Sequence, residues 1–250
     1  MAGDDDAAAA DGGVRRVLVV TAHPDDVDFG AAGTVARWTD EGIEVTYCVV
    51  TDGDAGGHDL TVDRGEMSGI RRAEQTAAAK EVGVTDLRWL GYPDGQLMVS
   101  LQLRHDIARV IRQVRPQRVV SPWPERNWES VFASHPDHMA AGEATLAAVY
   151  PDARNPFAFP DLLAAGLAPH IVDEVWVMSA PHPDTFVDVT DTFERKLAAL
   201  RRHVSQMDPN NGEMGGWLRS YLAANAAAGG LPEGRLAETF LRRVTGENRS

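Results

Sequence analysis

The sequence predicts an α/β fold, a mainly parallel sheet flanked by helices, with its functional residues at the carboxyl ends of the strands. Three observations carry this. Short, almost continuous apolar runs recur along the chain, as strands buried on both faces require. Segments of helical length alternate with them, the pattern of a parallel sheet covered on both sides. The residues with evident chemistry follow directly after the apolar runs, where open α/β sheets collect their sites.

The elements follow in order. Arg16 to Thr21 (RVLVVT) reads as the first buried strand. Gly33 to Gly42 reads as an amphipathic helix with Val35, Ala36 and Trp38 inward, and Ile43 to Thr51 as the second strand. Asp52 to Met67, with Gly53, Gly56, Gly57 and Gly65, is expected to be a loop, and Ser68 to Val82 a helix stopped at Gly83. Leu87 to Leu90 is a third strand, Gly91 to Gly95 a turn, and Leu101 to Val114 a helix ended before Pro116. Gln117 to Ser121 is the fourth strand and His135 to Tyr150 a helix. Val172 to Met178 and Phe186 to Val189 are late strands, with antiparallel pairing open at that edge. A helix capped by Thr190 and Asp191 runs to about Gln206. A Gly- and Asn-rich loop from Asp208, a helix over 216–228 and a segment over 240–244 complete the chain.

The chain of 250 residues is 44% hydrophobic and carries a net charge of −13, which excludes wholesale disorder and argues against nucleic-acid or anionic-lipid partners. Residues 1–13 read as a disordered acidic tail and 14–250 as one domain. The single cysteine, Cys48, lies in an apolar run and reads as a core thiol, excluding disulfides and cysteine-based zinc clusters. The N-terminus has acids where a signal peptide needs Lys or Arg, and no stretch is apolar enough to span a bilayer, so a cytoplasmic protein is expected. Homo-oligomerisation is compatible with the sequence but not readable from it.

Chemistry concentrates in two segments. Ala22-His23-Pro24-Asp25-Asp26 follows the first strand, where a nucleotide-binding domain would carry Gly-x-Gly-x-x-Gly. A histidine and two carboxylates beside a proline suit a cation instead. His135-Pro136-Asp137-His138 follows the fourth strand at the start of a helix, so His135 and His138 share a face, and Asp137 is placed to orient one imidazole. Two histidines, a carboxylate and an open position suit catalytic zinc, which acidifies water and polarises a carbonyl. A neighbouring carboxylate then accepts the proton, which is machinery for amide hydrolysis.

These motifs, in this order, resemble the LmbE-like, or PIG-L, superfamily of zinc-dependent de-N-acetylases and amidases. The resemblance runs from Arg16 to about Gln206. It includes Ala22 to Gly30, Gly33-Thr34, Thr51 to Gly56, Arg71 to Glu74, Leu90 to Gly95, His135 to His138, and Asp188 to Thr190 with Lys196, Leu200, His203, Ser205 and Gln206. It implies a Rossmann-like fold and one Zn2+ per chain held by His23, Asp26 and His138. It further implies Asp25 as general base, His135 as oxyanion stabiliser or acid toward the leaving amine, and Asp137 tuning His135. Arg71, Asp94 and, more weakly, Asp54 become substrate contacts. Two departures stand out: Asp28 where many relatives have Glu, and Ala133 where some carry a tyrosine.

The expected activity is removal of an N-acetyl or other N-acyl group from an amino sugar or glycoconjugate, a small-molecule substrate. The alternatives are an amidase cleaving a mycothiol-like thiol-sugar conjugate and a non-catalytic sugar- or metal-binding module. A dehydrogenase is disfavoured by the missing glycine fingerprint. Trp123 and Trp128, in the segment before the second motif, either wall a substrate pocket or pack in the core. His58, His182 and the extra His-Pro-Asp within Pro181 to Asp184 read as loop residues.

Overall fold

The computed structural model describes residues 13–131, 134–207 and 214–246. Residues 1–12 of the expected acidic tail, Ala133 and the start of the loop after Met207 lie outside these. Strands β1 (Arg16–Thr21), β2 (Glu44–Thr51), β3 (Asp86–Tyr92), β4 (Arg118–Pro122), β5 (Glu174–Met178), β6 (Thr185–Asp188) and β7 (Ala237–Val244) form one sheet. Its order is β3-β2-β1-β4-β5-β7-β6. The pairings among β1 to β5 are parallel, and β7 is antiparallel to both β5 and β6. The helices are α1 (Asp26–Gly30), α2 (Ala32–Asp40), α3 (Arg64–Glu81), α4 (Leu101–Val114), α5 (Pro136–Ala147), α6 (Pro160–Ala164), α7 (Phe193–Leu200) and α8 (Met214–Ala228).

Side-chain alternation on β1 divides the core. Leu18 and Val20 pack under α4 and α5 with Cys48, Ile107 and Ile111, and Val17 and Val19 pack under α2 and α3 with Tyr47, Trp38 and Ala79. Cys48 is fully buried, and that burial pushes its thiol up to about 12, so it is a core residue as expected. A smaller apolar cluster joins α7 and α8 through Phe193, Leu197, Leu218 and Leu222.

The chain leaves β1 toward β2 and β3 on one side, whereas β4 lies on the other side of β1, in register Val17 to Arg118. This reversal opens a crevice beyond the carboxyl ends of two adjacent strands. The two His-Pro-Asp motifs lead out of those strands. Helix α5 sits close to the end of β4 because its facing residues are small. A Cβ at Gly142 would lie 2.6 Å from the Pro122 carbonyl oxygen.

Several boundaries differ from expectation for identifiable reasons. Helix α3 begins at Arg64 because Asp63 accepts a hydrogen bond from the Glu66 N–H (2.9 Å), an N-cap that outweighs Gly65. The helix expected over 135–150 passes from α5 into a wider turn at Ala148 that breaks at Tyr150, before Pro151, and the one expected to reach Gln206 stops at Leu200. Helix α1 was unforeseen, since a single helical turn is too short to show a period.

A buried ion pair fixes α1 and α2. Lys196 of α7 donates to Glu238 Oε1 (2.6 Å) and to the carbonyls of Asp28 (2.8 Å) and Phe29 (2.7 Å). Glu238 of β7 accepts from the Gly33 and Thr34 N–H groups (2.9 and 2.7 Å) at the amino end of α2. Lys196→Met should leave buried Glu238 without its cation, and lower stability by about 3–5 kcal/mol in urea unfolding. A loss under about 1 kcal/mol would show that the pair is dispensable.

Candidate active site

The first motif leaves β1 at Thr21. Pro24 stiffens the turn, Asp25 takes a left-handed conformation (φ 96°), and Asp26 opens α1. The second motif starts with His135 as N-cap of α5, its Nδ1 accepting the Asp137 N–H (3.2 Å), and Pro136 sits in the first helical turn. The motifs meet at His23. Its Nδ1 lies 3.1 Å from His138 Nε2 and 3.7 Å from Asp26 Oδ1, and His138 Nε2 lies 3.0 Å from that same oxygen.

On its other side, His23 Nε2 faces Asp94 Oδ1 (3.0 Å) and Asp137 Oδ2 (3.2 Å). Both are acceptors, so the ring proton belongs on Nε2 and the Nδ1 lone pair faces Asp26 and His138. That is the tautomer a metal ligand needs. Two nitrogens and an oxygen separated by 3.0–3.7 Å match the roughly 3.3 Å edge of a tetrahedron with bonds of about 2.05 Å. The donor set therefore fits zinc. His23, His135 and His138 also converge within 4.8 Å, as do His23, Asp94 and Asp137. The last set is the poorer cage, because its carboxylates already accept backbone N–H groups: Asp94 from Ala55, and Asp137 from Gly95 and Leu97.

Titration behaviour reflects this crowding. Without a bound cation, burial would lower the His23 pKa, but hydrogen bonds to Asp137, Asp26 and Asp94 raise it to about 12, so a metal at Nδ1 would take the place of a proton there. Burial would raise Asp26, yet His138 and His23 hold it well below the usual carboxylate range. For Asp25 burial prevails over the opposing Arg71 charge, and its pKa rises to about 6. His135 is lowered by partial burial and by the neighbouring His23 and His138, which favours its neutral form.

Some expected contacts are redirected. The Asp137 carboxylate points to His23 rather than tuning His135, because the first turn of α5 aims it down at the amides after β3. Arg71 is 3% exposed, donating to Asp25 Oδ2 (3.0 Å) and to the carbonyls of Gly53 (3.0 Å) and Pro24. The absence of Cβ atoms at Gly53 and Gly56 makes room for it, since either would lie within 2.6 Å of its guanidinium. Asp54 accepts from the Asp94 N–H (2.8 Å) and from Arg64. Arg71, Asp94 and Asp54 are thus engaged with Asp25, His23 and the loop after β3. Trp123 packs against the core, whereas Trp128 is 81% exposed. Asp184 of the extra His-Pro-Asp binds Arg242 and Arg243 on β7, and His58 approaches the Gln206 carbonyl.

Sequence reasoning missed Gln75. It is fully buried, accepts the Asp25 N–H (2.7 Å) and donates to Asp28 Oδ2 (2.8 Å). Its signal was available: Arg71 and Gln75, four apart, are polar residues on the inner stripe of α3 with Met67 and Ala78.

Residues 18–149 match the family described as PIG-L, GlcNAc-PI de-N-acetylase. The chain is 35% identical over 233 residues to the diacetylchitobiose deacetylase of Thermococcus kodakarensis, covering 93% of this chain and 84% of that protein. It is 30% identical over 239 residues to the 1D-myo-inositol 2-acetamido-2-deoxy-alpha-D-glucopyranoside deacetylase of Acidothermus cellulolyticus, covering 78% and 80%. The solved N,N'-diacetylchitobiose deacetylase of Pyrococcus horikoshii superposes with a TM-score of 0.85 at 31% identity, covering 93% and 85%. The chain belongs to the PIG-L family. Among the described residues no helix is long and apolar enough to cross a membrane.

His203 gives a pH test of the site's support. It is buried and its Nε2 donates to Asp28 Oδ2 (2.8 Å). Burial opposes its charge, but Asp28, with Asp25 and Glu74, raises its pKa above 6.5. A raised folded pKa contributes stability that is full below the unfolded value and is lost as pH rises through the folded one. Urea unfolding at about pH 6 and about pH 9 should therefore show a larger loss of stability on going alkaline in wild type than in His203→Gln. Equal losses would show that the pair does not carry this linkage.

Proposed function

We propose that this chain is a zinc-dependent N-deacetylase that removes the acetyl group from an N-acetylglucosamine-bearing small molecule. His23 Nδ1, His138 Nε2 and Asp26 Oδ1 hold the ion in this reading. The observation that carries it is the triangle of these three atoms with the Asp25 carboxylate beside it, in a family whose named members above are deacetylases. When bound, the ion polarises the amide carbonyl and lowers the pKa of water to roughly 7.

The protein groups divide the remaining work. Arg71 occupies Asp25 Oδ2, so Oδ1 is the oxygen that accepts the proton of the attacking water. A pKa near 6 leaves Asp25 ionised at neutral pH yet still basic enough for that transfer. The His135 Nδ1 accepts the Asp137 N–H, which leaves the ring proton on Nε2 to donate to the carbonyl oxygen as negative charge builds there. The proton carried by Asp25 then passes to the nitrogen as the C–N bond breaks, giving acetate and a free amine. Asp94 and Asp137 fix the His23 tautomer, and Arg71 positions Asp25.

Zinc-loaded protein should release primary amine from N,N'-diacetylchitobiose or an N-acetylglucosaminyl-inositol. Mercapturate release from a mycothiol conjugate, with no amine from the acetylated sugars, would select the amidase alternative. Sugar binding without turnover would overturn the enzymatic reading in favour of a binding module.

Two substitutions separate the roles. Asp25→Ala should keep its zinc by elemental analysis while turnover falls about 10²-fold or more; unchanged turnover refutes the base assignment. Asp137→Asn should weaken zinc retention against a chelator by about 10- to 100-fold, because it alters the acceptor on His23 Nε2. An unaltered chelation curve would remove Asp137 from that role.

A further inference from the structure

We infer that Gln75, Asp28 and His203 form a relay that holds the backbone of Asp25 in its working conformation, making Gln75 a positioning residue for the reaction. This rests on the assignment of Asp25 as the base.

Asp25 is the residue of the site whose backbone most resists its position. Its φ of 96° lies in the left-handed region that L-residues avoid. A glycine would sit there without strain but would bring no carboxylate. Two groups of α3 hold the turn from below. Arg71 binds the Pro24 carbonyl and Asp25 Oδ2, and Gln75 Oε1 accepts the Asp25 N–H at 2.7 Å. The Arg71 contact fixes the side chain and the preceding carbonyl. Among the described residues, Gln75 is the one that holds the amide of the strained residue itself.

An amide side chain can present either its oxygen or its nitrogen, and here the choice is imposed. The Asp25 backbone N–H only donates, so it takes the Gln75 oxygen, and Gln75 Nε2 is left to donate to Asp28 Oδ2 at 2.8 Å. Asp28 secures that orientation by accepting from Nε2. His203 Nε2 donates to that same Oδ2 at 2.8 Å and fixes the carboxylate. Gln75 and Asp28 are fully buried and His203 is 2% exposed, so water does not compete for these bonds. Lys196 binds the Asp28 carbonyl at 2.8 Å, which anchors the relay's middle member to α7. The relay spans α1, α3 and the segment after α7 and ends on the backbone N–H of Asp25, while Arg71 holds the carboxylate itself.

The expected result for Gln75→Leu is a kcat lowered about 10- to 100-fold with KM and zinc content unchanged, the scale of a reactive group displaced by about 1 Å. The decisive comparison is a double-mutant cycle with Asp25→Asn, read as amine release from N,N'-diacetylchitobiose. If Gln75 acts through Asp25, adding Gln75→Leu to Asp25→Asn costs less than about 2-fold. Equal losses in both backgrounds would reduce Gln75 to a general structural role and overturn the inference. His203→Gln, which keeps an N–H for Asp28, should recover most of the rate lost in His203→Leu. If Gln75→Leu does not fold, His203→Leu carries the same cycle one bond further out. A crystal structure of whichever variant folds supplies a readout independent of turnover: Asp25 should leave the left-handed region, and an unmoved φ together with an unchanged kcat would refute the relay. Failure of the functional reading looks different, since Asp25→Asn would then turn over at the wild-type rate.

Discussion

Negative charge packed around one imidazole is the constraint on which the rest of this structure turns. Asp26, Asp94 and Asp137 all approach His23, and Asp25 stands next to Asp26 in sequence. Carboxylates buried this close repel one another and pay heavily for lost hydration unless donors or cations compensate. The chain supplies part of that compensation from its backbone, through the N–H groups of Ala55, Gly95 and Leu97, and part from the buried guanidinium of Arg71. The proposed zinc ion supplies the remainder.

Meeting that demand dictates architecture. The loops after β2 and β3 must lean over the crevice so that their amides reach Asp94 and Asp137, and Asp54 ties one loop to the other through the Asp94 N–H. Helix α5 must come close to β4 for His138 to reach His23, which explains its alanines and Gly142. On the opposite face, α3 projects two polar groups from an otherwise apolar stripe to support the turn carrying Asp25 from below. The antiparallel strand β7 contributes Glu238 to the same end.

Much of this was legible in the sequence, and the reasons differ by level. Apolar runs such as RVLVVT identify strands because a parallel sheet is buried on both sides, and alternation with helices then orders them. The two motifs were legible because His, Pro and Asp recur together after two strands that turn out to be neighbours, the first directly and the second across a loop. Partners were harder. Asp137 was expected to serve His135, its neighbour in sequence, yet its carboxylate meets His23, more than a hundred residues away. Arg71 was expected to face a ligand, yet it faces inward, since a helix stripe shows which residues share a side but not what lies across from them. Gln75 escaped notice for the same reason: long-range hydrogen bonds leave no local period. The edge of the sheet was read correctly as a place for antiparallel strands, although β7 begins three residues earlier than expected, at Ala237 rather than Phe240.

The buried pair of Lys196 and Glu238 has a consequence for the order in which the molecule is completed. Synthesis delivers the amino-terminal segments first, so His23, Asp26 and His138 all leave the ribosome before Lys196, and long before Glu238. Until those late residues arrive, α1 lacks the ammonium group on its carbonyls and α2 lacks the carboxylate at its amino end. The side chains proposed to bind the metal are therefore present in a nascent chain before their bracing, and β7 acts as a latch. The centre is fully braced only once that strand has paired with β5 and β6.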